Sequence, residues 1–500
     1  MHDRELCFLP LNEVAARIRR HDVSSVEVVD ATLRRIERID PELHSFISVD
    51  GAGARLSAQH ADEATQRDAK LGGLHGVPIS IKDQFAVRGT KTTLASKVFA
   101  DYVPDFDAAV VESSRQAGAI VLGKANMYEL ATGWGTVGYF PVAENPWNTR
   151  HSPGGSSSGS AAGVAAGMAY ASIASDGGGS TRIPASYCGV VGIKPTHGLV
   201  NYRGSLPMSL NVCGRSIPIA KTINSVGVIS RSVEDAAIVL QVLGEGQPRD
   251  TAREAAEHGG YSTHLTGDLT GVVVAVPRAY IAEGVDQESA DAFEAALGVL
   301  TDAGALIRPV ELGFSSADIA WMWTTIAYVE MAASLGEAFE EKPQDFGPEL
   351  QLRLRNGGAT SAQEFFCATQ ARAQLRRDWL DLLETAHVVA TPTAPGAAPP
   401  MTELVAQSTD LDEVGGLARF TRPYNLTGLP AISVPDGFTE TGLPLGLQIG
   451  GAPYAEATIL RVADAYERRT EWHQKRPALS ADIDACEVSA SFMGERDRVV

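Results

Sequence analysis

Two stretches of small residues, SPGGSSSGSAAG at 152–163 and SDGGGSTRIPAS at 175–186, constrain this chain more than any other feature. Each sets serines among glycines beside apolar segments. Glycine tolerates positive φ and carries no Cβ, so the backbone can crowd around a reacting group while a hydroxyl faces it. Upstream, GVPISIKD at 76–83 has the β-branched core of a buried strand and ends on a lysine. Serines in glycine settings, with a candidate base nearby, point to a nucleophile and its activation system.

The surrounding pattern alternates helix and strand. SSVEVVDATLRRIERID (24–40) has helical spacing, with Ser24 and Glu27 as a capping box and Pro41 as its end. A polar helix follows near 52–70. Residues 107–122 read as a helix leading into the strand AIVLG, and GKANMYEL then opens a loop and another helix. YCGVVGIKPT (187–196), GVVVAVP (271–277), AHVVATPTAP (386–395) and LPAISVPDG (429–437) read as strands or strand and turn, and SVEDAAIVLQVLG (232–244) as an amphipathic helix. Residues 284–385 are mostly helical, with Trp321, Trp323 and Tyr328 clustered there. Such alternation implies an α/β fold around a central sheet. With no linker or repeat in 500 residues, one large domain over 1–480 is expected, followed by a polar tail, 481–500.

Charge narrows the partners. With 42 basic and 61 acidic residues the net charge is −19, which disfavours a nucleic acid or other polyanion. A small acidic substrate also fits poorly unless a local arginine overrides the mean field. Cys7, Cys188, Cys213, Cys367 and Cys486 are scattered and odd in number, as expected of reduced thiols. The first residues lack a signal-type apolar core, and the small-apolar run 161–174 is too short to span a bilayer, so a cytoplasmic chain without a membrane anchor is expected.

Ser180 is the candidate nucleophile, because Gly177, Gly178 and Gly179 precede it and a nest of their N–H groups can hold an oxyanion. Lys82, closing an apolar strand, is the candidate base, since apolar surroundings disfavour the ammonium form. Ser156 can relay a proton because a hydroxyl donates and accepts at once. Three rivals fail. GSSSG at 155–159 fits a nucleophile elbow centred on Ser157, but NPWNTRHSP before it is no strand. No Gly-Lys-Ser/Thr follows the glycines, and the eleven histidines contain no HExxH, so neither a phosphate loop nor a metal site is expected, nor any cofactor.

These segments, with LGKANMYEL, SVGVISRSVEDAA, TPTAP and PYNLTGLPAISVP in the same order, resemble the amidase signature family over nearly the whole chain. The resemblance implies a mixed, mostly parallel twisted sheet covered by helices on both faces. It assigns Ser180 as nucleophile, Ser156 (on a cis peptide) as bridge and Lys82 as base. The oxyanion role falls to the N–H groups of Gly177, Gly178, Gly179 and Ser180. Gly177 stands where threonine is usual, Thr181 for an aliphatic residue, Ser158 for glycine and Val228 where proline is frequent; none removes a triad member.

By the same resemblance, Thr132, Gly133 and Trp134 and the helical region 310–425 line the acyl pocket. The expected reaction is hydrolysis of a small aryl or alkyl carboxamide, with only substrate and water as small-molecule partners and a homodimer possible. Carbamates, urethanes and esters suit the same triad. The A subunit of glutamyl-tRNA amidotransferase is the other class; there aspartate usually replaces Tyr128, and the tyrosine favours a stand-alone hydrolase with a less polar substrate.

Overall fold

The computed structural model describes residues 2–67, 71–132, 139–207, 222–245, 260–407 and 416–479, and the backbone of 209–212 and 215–218. Its strands are Phe46–Val49 (β1), Pro78–Lys82 (β2), Ile120–Ala125 (β3), Ala171–Asp176 (β4), Val191–Lys194 (β5), Ser209–Val212 (β6), Arg215–Pro218 (β7), Ser225–Ser230 (β8), Val273–Val276 (β9), Leu306–Pro309 (β10), Val388–Pro392 (β11), Ala431–Phe438 (β12) and Pro444–Gly451 (β13). Eleven form one sheet in the order β1-β3-β2-β4-β8-β5-β12-β13-β11-β9-β10, while β6 and β7 make a separate hairpin.

The sheet is mixed but not mostly parallel. Parallel pairs are confined to β3-β2-β4 near one edge and β11-β9-β10 at the other. The other six junctions are antiparallel. The expectation of a parallel majority assumed a helical crossover between successive strands. In the centre, β12 instead turns directly into β13 through a tight loop closed by Thr439 N–H to Leu443 O at 2.9 Å, and a hairpin can only pair antiparallel.

Helices cover both faces, as the side-chain alternation requires. Ile173, Val274 and Val388 join a large core with the helices Leu11–Arg19, Val233–Gly244, Gln287–Asp302 and Glu456–Glu467. Their neighbours face the other way. Ala174 packs with Ser25–Leu43 and Ser158–Ala165, and Ala275 and Val389 with Ser316–Glu341 and Ala362–Leu383. No helix among the described residues is long and apolar enough to cross a membrane.

Local expectations hold where capping chemistry is explicit. Ser24 accepts from Glu27 N–H at 3.1 Å while the Glu27 carboxylate takes the Ser24 N–H at 2.8 Å. Pro41, however, does not end this helix. It lies in the last turn, where its missing N–H sacrifices one bond, and the helix runs to Leu43 before His44 turns left-handed. Nor does GKANMYEL open a helix: Lys124 and Ala125 extend β3, and Glu129–Ala131 makes a single 3₁₀ turn. Tyr187 ends the helix Arg182–Tyr187, so the strand in that segment is only Val191–Lys194. Cys7, Cys188 and Cys367 are free thiols; Cys213, Cys486 and the tail 481–500 lie outside the described residues.

Candidate active site

Neighbouring parallel strands β2 and β4 end side by side, and carboxyl ends of parallel strands are where open α/β sheets expose binding crevices. Lys82 is the last residue of β2 and is 0% exposed. Its Nζ donates to Ser156 Oγ and to Ser175 Oγ, both at 2.8 Å. Ser175 Oγ donates onward to Gln84 Oε1 at 2.7 Å, and Gln84 Nε2 to Tyr202 OH at 2.9 Å. The amine is thus oriented by hydroxyls on two segments.

Ser156 follows a cis Gly155–Ser156 peptide. Glycine is required before it, because a Cβ on Gly155 would lie 2.1 Å from the Tyr128 ring. Tyr128 is buried, shares a 3.0 Å hydrogen bond with Ser152 Oγ, and donates its N–H to Ser156 O at 3.0 Å. It braces the serine loop rather than lining the cavity, so it does not set substrate polarity as the sequence suggested. Ser157 is fully buried at the start of the helix Ser158–Ala165, with its hydroxyl 3.3 Å from Ser175 O and no strand before it. This is not a nucleophile elbow.

The loop 177–180 is fixed from outside. Trp323 Nε1 donates to Gly177 O at 2.7 Å and Thr421 Oγ1 to Gly178 O at 2.7 Å. Gly179 has φ 122°, a left-handed conformation, and a Cβ there would lie 2.4 Å from Thr421 Oγ1. Its N–H donates to Asp176 Oδ1 at 2.8 Å. Of the four expected oxyanion donors, Gly177, Gly178, Gly179 and Ser180, the Gly179 N–H is thus already bonded to a carboxylate.

Asp176 and Arg182 pair as the sequence suggested. Arg182 Nε and Nη2 reach the two carboxylate oxygens at 2.9 and 2.8 Å, with both residues at 0% exposure. Arg182 also donates to Thr421 O, Gln448 Oε1 and Asn425 Oδ1 at 3.0, 2.7 and 2.7 Å. Burial opposes charge on Asp176, but the Arg182 guanidinium, then Lys194 and Asn425, hold its carboxyl well below the usual range.

Ser156 and Ser180 line one cavity together with Gly177 and Gly178. Thr132 lines it, whereas Gly133 and Trp134 lie outside the described residues. Of the aromatic cluster only Trp323 reaches the cavity; Trp321 is 43% exposed, and Tyr328 is buried, edge-on to Trp323. Sequence reasoning missed Ser175, Gln84 and Arg422. Ser175 stood inside the second glycine-serine stretch, and only the β2–β4 register reveals that it faces Lys82.

Comparison with known proteins agrees with the geometry. Residues 27–460 match the family model described as Amidase. The A subunit of glutamyl-tRNA(Gln) amidotransferase from Roseiflexus sp. (strain RS-1) is 36% identical over 503 residues, covering 95% of this chain and 99% of that one. Among solved structures, a 6-aminohexanoate cyclic dimer hydrolase complexed with substrate superposes with a TM-score of 0.82 at 26% identity, covering 94% of this chain and 99% of its own. The corresponding A subunit of glutamyl-tRNA(Gln) amidotransferase from Thermotoga maritima gives 0.69 at 29% identity, covering 94% of each. The chain belongs to the amidase signature family and is a C–N hydrolase.

Proposed function

We propose that this hydrolase cleaves the C–N bond of a small aryl or alkyl carboxamide through an acyl-enzyme on Ser180. The observation that carries the reading is the 2.8 Å contact of Lys82 Nζ with Ser156 Oγ at a cavity that also holds Ser180. Neutral Lys82 takes the Ser156 proton, Ser156 takes that of Ser180, and Ser180 Oγ bonds to the carbonyl carbon. The N–H groups of Gly177, Gly178 and Ser180 hold the oxyanion. As the C–N bond breaks, the relay returns the proton to the leaving nitrogen. Water then attacks the ester, gives a proton to the relay, and leaves as the hydroxyl of the carboxylic acid while Ser180 is restored. Carbamates and esters present the same carbonyl.

The amidotransferase reading is favoured by 36% identity over nearly the full length. The backbone supports the hydrolase instead, with a TM-score of 0.82 against 0.69. Treatment with a fluorophosphonate, followed by peptide mapping, is expected to find the adduct on Ser180. Ser180→Ala is expected to lose both labelling and turnover of simple amides by the purified chain. An adduct on Ser157, or none, overturns the site; turnover only with added partner subunits favours the amidotransferase reading.

A further inference from the structure

We propose that Arg422 recognises an anion on the substrate, so that the amide hydrolysed in this cavity carries a carboxylate. The inference deepens the function proposed above and rests on it. Arg422 lines the same cavity as Ser156 and Ser180 and is only 4% exposed. Its Nε and Nη1 are buried without a hydrogen-bond partner. The guanidinium lies over the Trp323 ring, 4.2 Å from the centroid. Both of its supports hold the oxyanion loop: Trp323 bonds Gly177 O, and Thr421, the preceding residue, bonds Gly178 O. The cation is therefore positioned by the groups that position the reacting carbonyl.

Arg182 shows what a satisfied guanidinium looks like in this protein. Arg182, equally buried, bonds Asp176, Thr421, Asn425 and Gln448. Arg353, on the cavity wall, pairs through Nη2 with Glu349, so its charge is matched although its Nε is unpartnered. The cavity carboxylate, Glu330, accepts from Thr222 N–H and hydroxyl. Among the described residues no carboxylate pairs with Arg422. Burial pushes its guanidinium down to about 10, Tyr328 opposes this, and Arg353 adds to it, which still leaves a cation at neutral pH. A buried charge without a partner is strongly unfavourable, and stacking on an aromatic face offsets only part of that.

A ligand carboxylate supplies the missing acceptors. A planar guanidinium fork matches two carboxylate oxygens, and both unpartnered nitrogens, Nε and Nη1, are donors. The apolar part of the wall, Ile223, Met331 and Leu335, suits a short hydrocarbon spacer between carboxylate and amide. This is the local arginine that overrides the −19 mean charge.

The test compares matched amides with and without the charge. Succinamic acid and butyramide place the carboxylate on the acyl side; N-acetylglycine and N-ethylacetamide place it on the amine side. Wild type is expected to prefer the anionic member of one pair. Arg422→Met is expected to lower kcat/KM for that member about 100-fold, mainly through KM, and to leave the neutral member within about threefold. Arg422→Lys, which keeps charge but loses the fork, falls between. Because no carboxylate among the described residues pairs with the replaced cation and its Nε and Nη1 are unbonded, Arg422→Met should melt no lower than wild type. A second readout needs no turnover: dicarboxylates from malonate to adipate should raise the Tm of wild type and not that of Arg422→Met. Equal losses on charged and neutral amides, a lower Tm, or dicarboxylate shifts that survive the substitution overturn the proposal. Absence of a Ser180 adduct instead overturns the underlying reading.

Discussion

Lys82 and Lys124 sit on the adjacent strands β2 and β3, both at 0% exposure, and their surroundings give them opposite characters. Lys124 Nζ lies 2.9 Å from Asp83 Oδ1 and donates to Phe85 O at 2.8 Å and Thr92 Oγ1 at 2.7 Å. Burial pulls its ammonium below the usual lysine range, while the Asp83 charge and hydrogen bond push back. It is an ion-pair strut. Lys82 instead places its bonds on serine hydroxyls, one of which lines the cavity. The same residue type, equally buried, forms an ion pair where its neighbour is a carboxylate and, in the proposed mechanism, moves a proton where its neighbours are hydroxyls.

The sharpest way to break this contrast is to exchange each lysine for methionine. Lys82→Met is expected to cut kcat by about 10⁴-fold or more with little change in unfolding midpoint. Lys124→Met leaves Asp83 buried and unpaired, and should cost about 3–5 kcal/mol of stability while the folded fraction keeps most of its kcat. Denaturant titration and turnover on both variants decide it; the same profile in each would dissolve the distinction.

The two hydroxyls on Lys82 extend it at smaller scale. Ser156→Ala should lower kcat by about 10²–10⁴-fold, because it removes the relay hydroxyl of the proposed mechanism. Ser175→Ala, which only orients the amine, should cost about tenfold. The reverse order in steady-state kinetics would move the relay to Ser175.

A third buried lysine gives the smallest effect. Burial, helped by the Arg182 charge and opposed by Asp176 and Glu456, pushes Lys194 down to about 7 from 10.5. Between those values the unfolded chain binds more protons than the folded one, so Lys194 makes stability rise with pH from about 7 upward. Lys194→Met should flatten that slope in urea midpoints measured at pH 7 and 9.

The parts of the site that sequence revealed are those fixed by local chemistry. Ser180 and Ser156 announce themselves because only glycine-rich backbone permits such close approach, and Lys82 because a charge ends an apolar strand. Ser24 and Glu27 likewise cap a helix within four residues. What stayed hidden depends on register and distant partners. Ser175 meets Lys82 only through the parallel pairing of β2 with β4. Arg422 precedes the recognisable PYNLTGLP segment by one position, and nothing local distinguishes it from the fully bonded Arg182. The antiparallel centre of the sheet was likewise invisible, because strand alternation carries no information about direction.

The bonds of Arg182 also set when in synthesis the site can exist. Its partners run from Asp176 to Gln448, 266 positions away at the farthest. A nascent chain emerging from the ribosome displays both serine loops well before the strand that carries Gln448, β13, has been made. Fragments truncated before β13 are therefore expected to be inert whatever serines they carry.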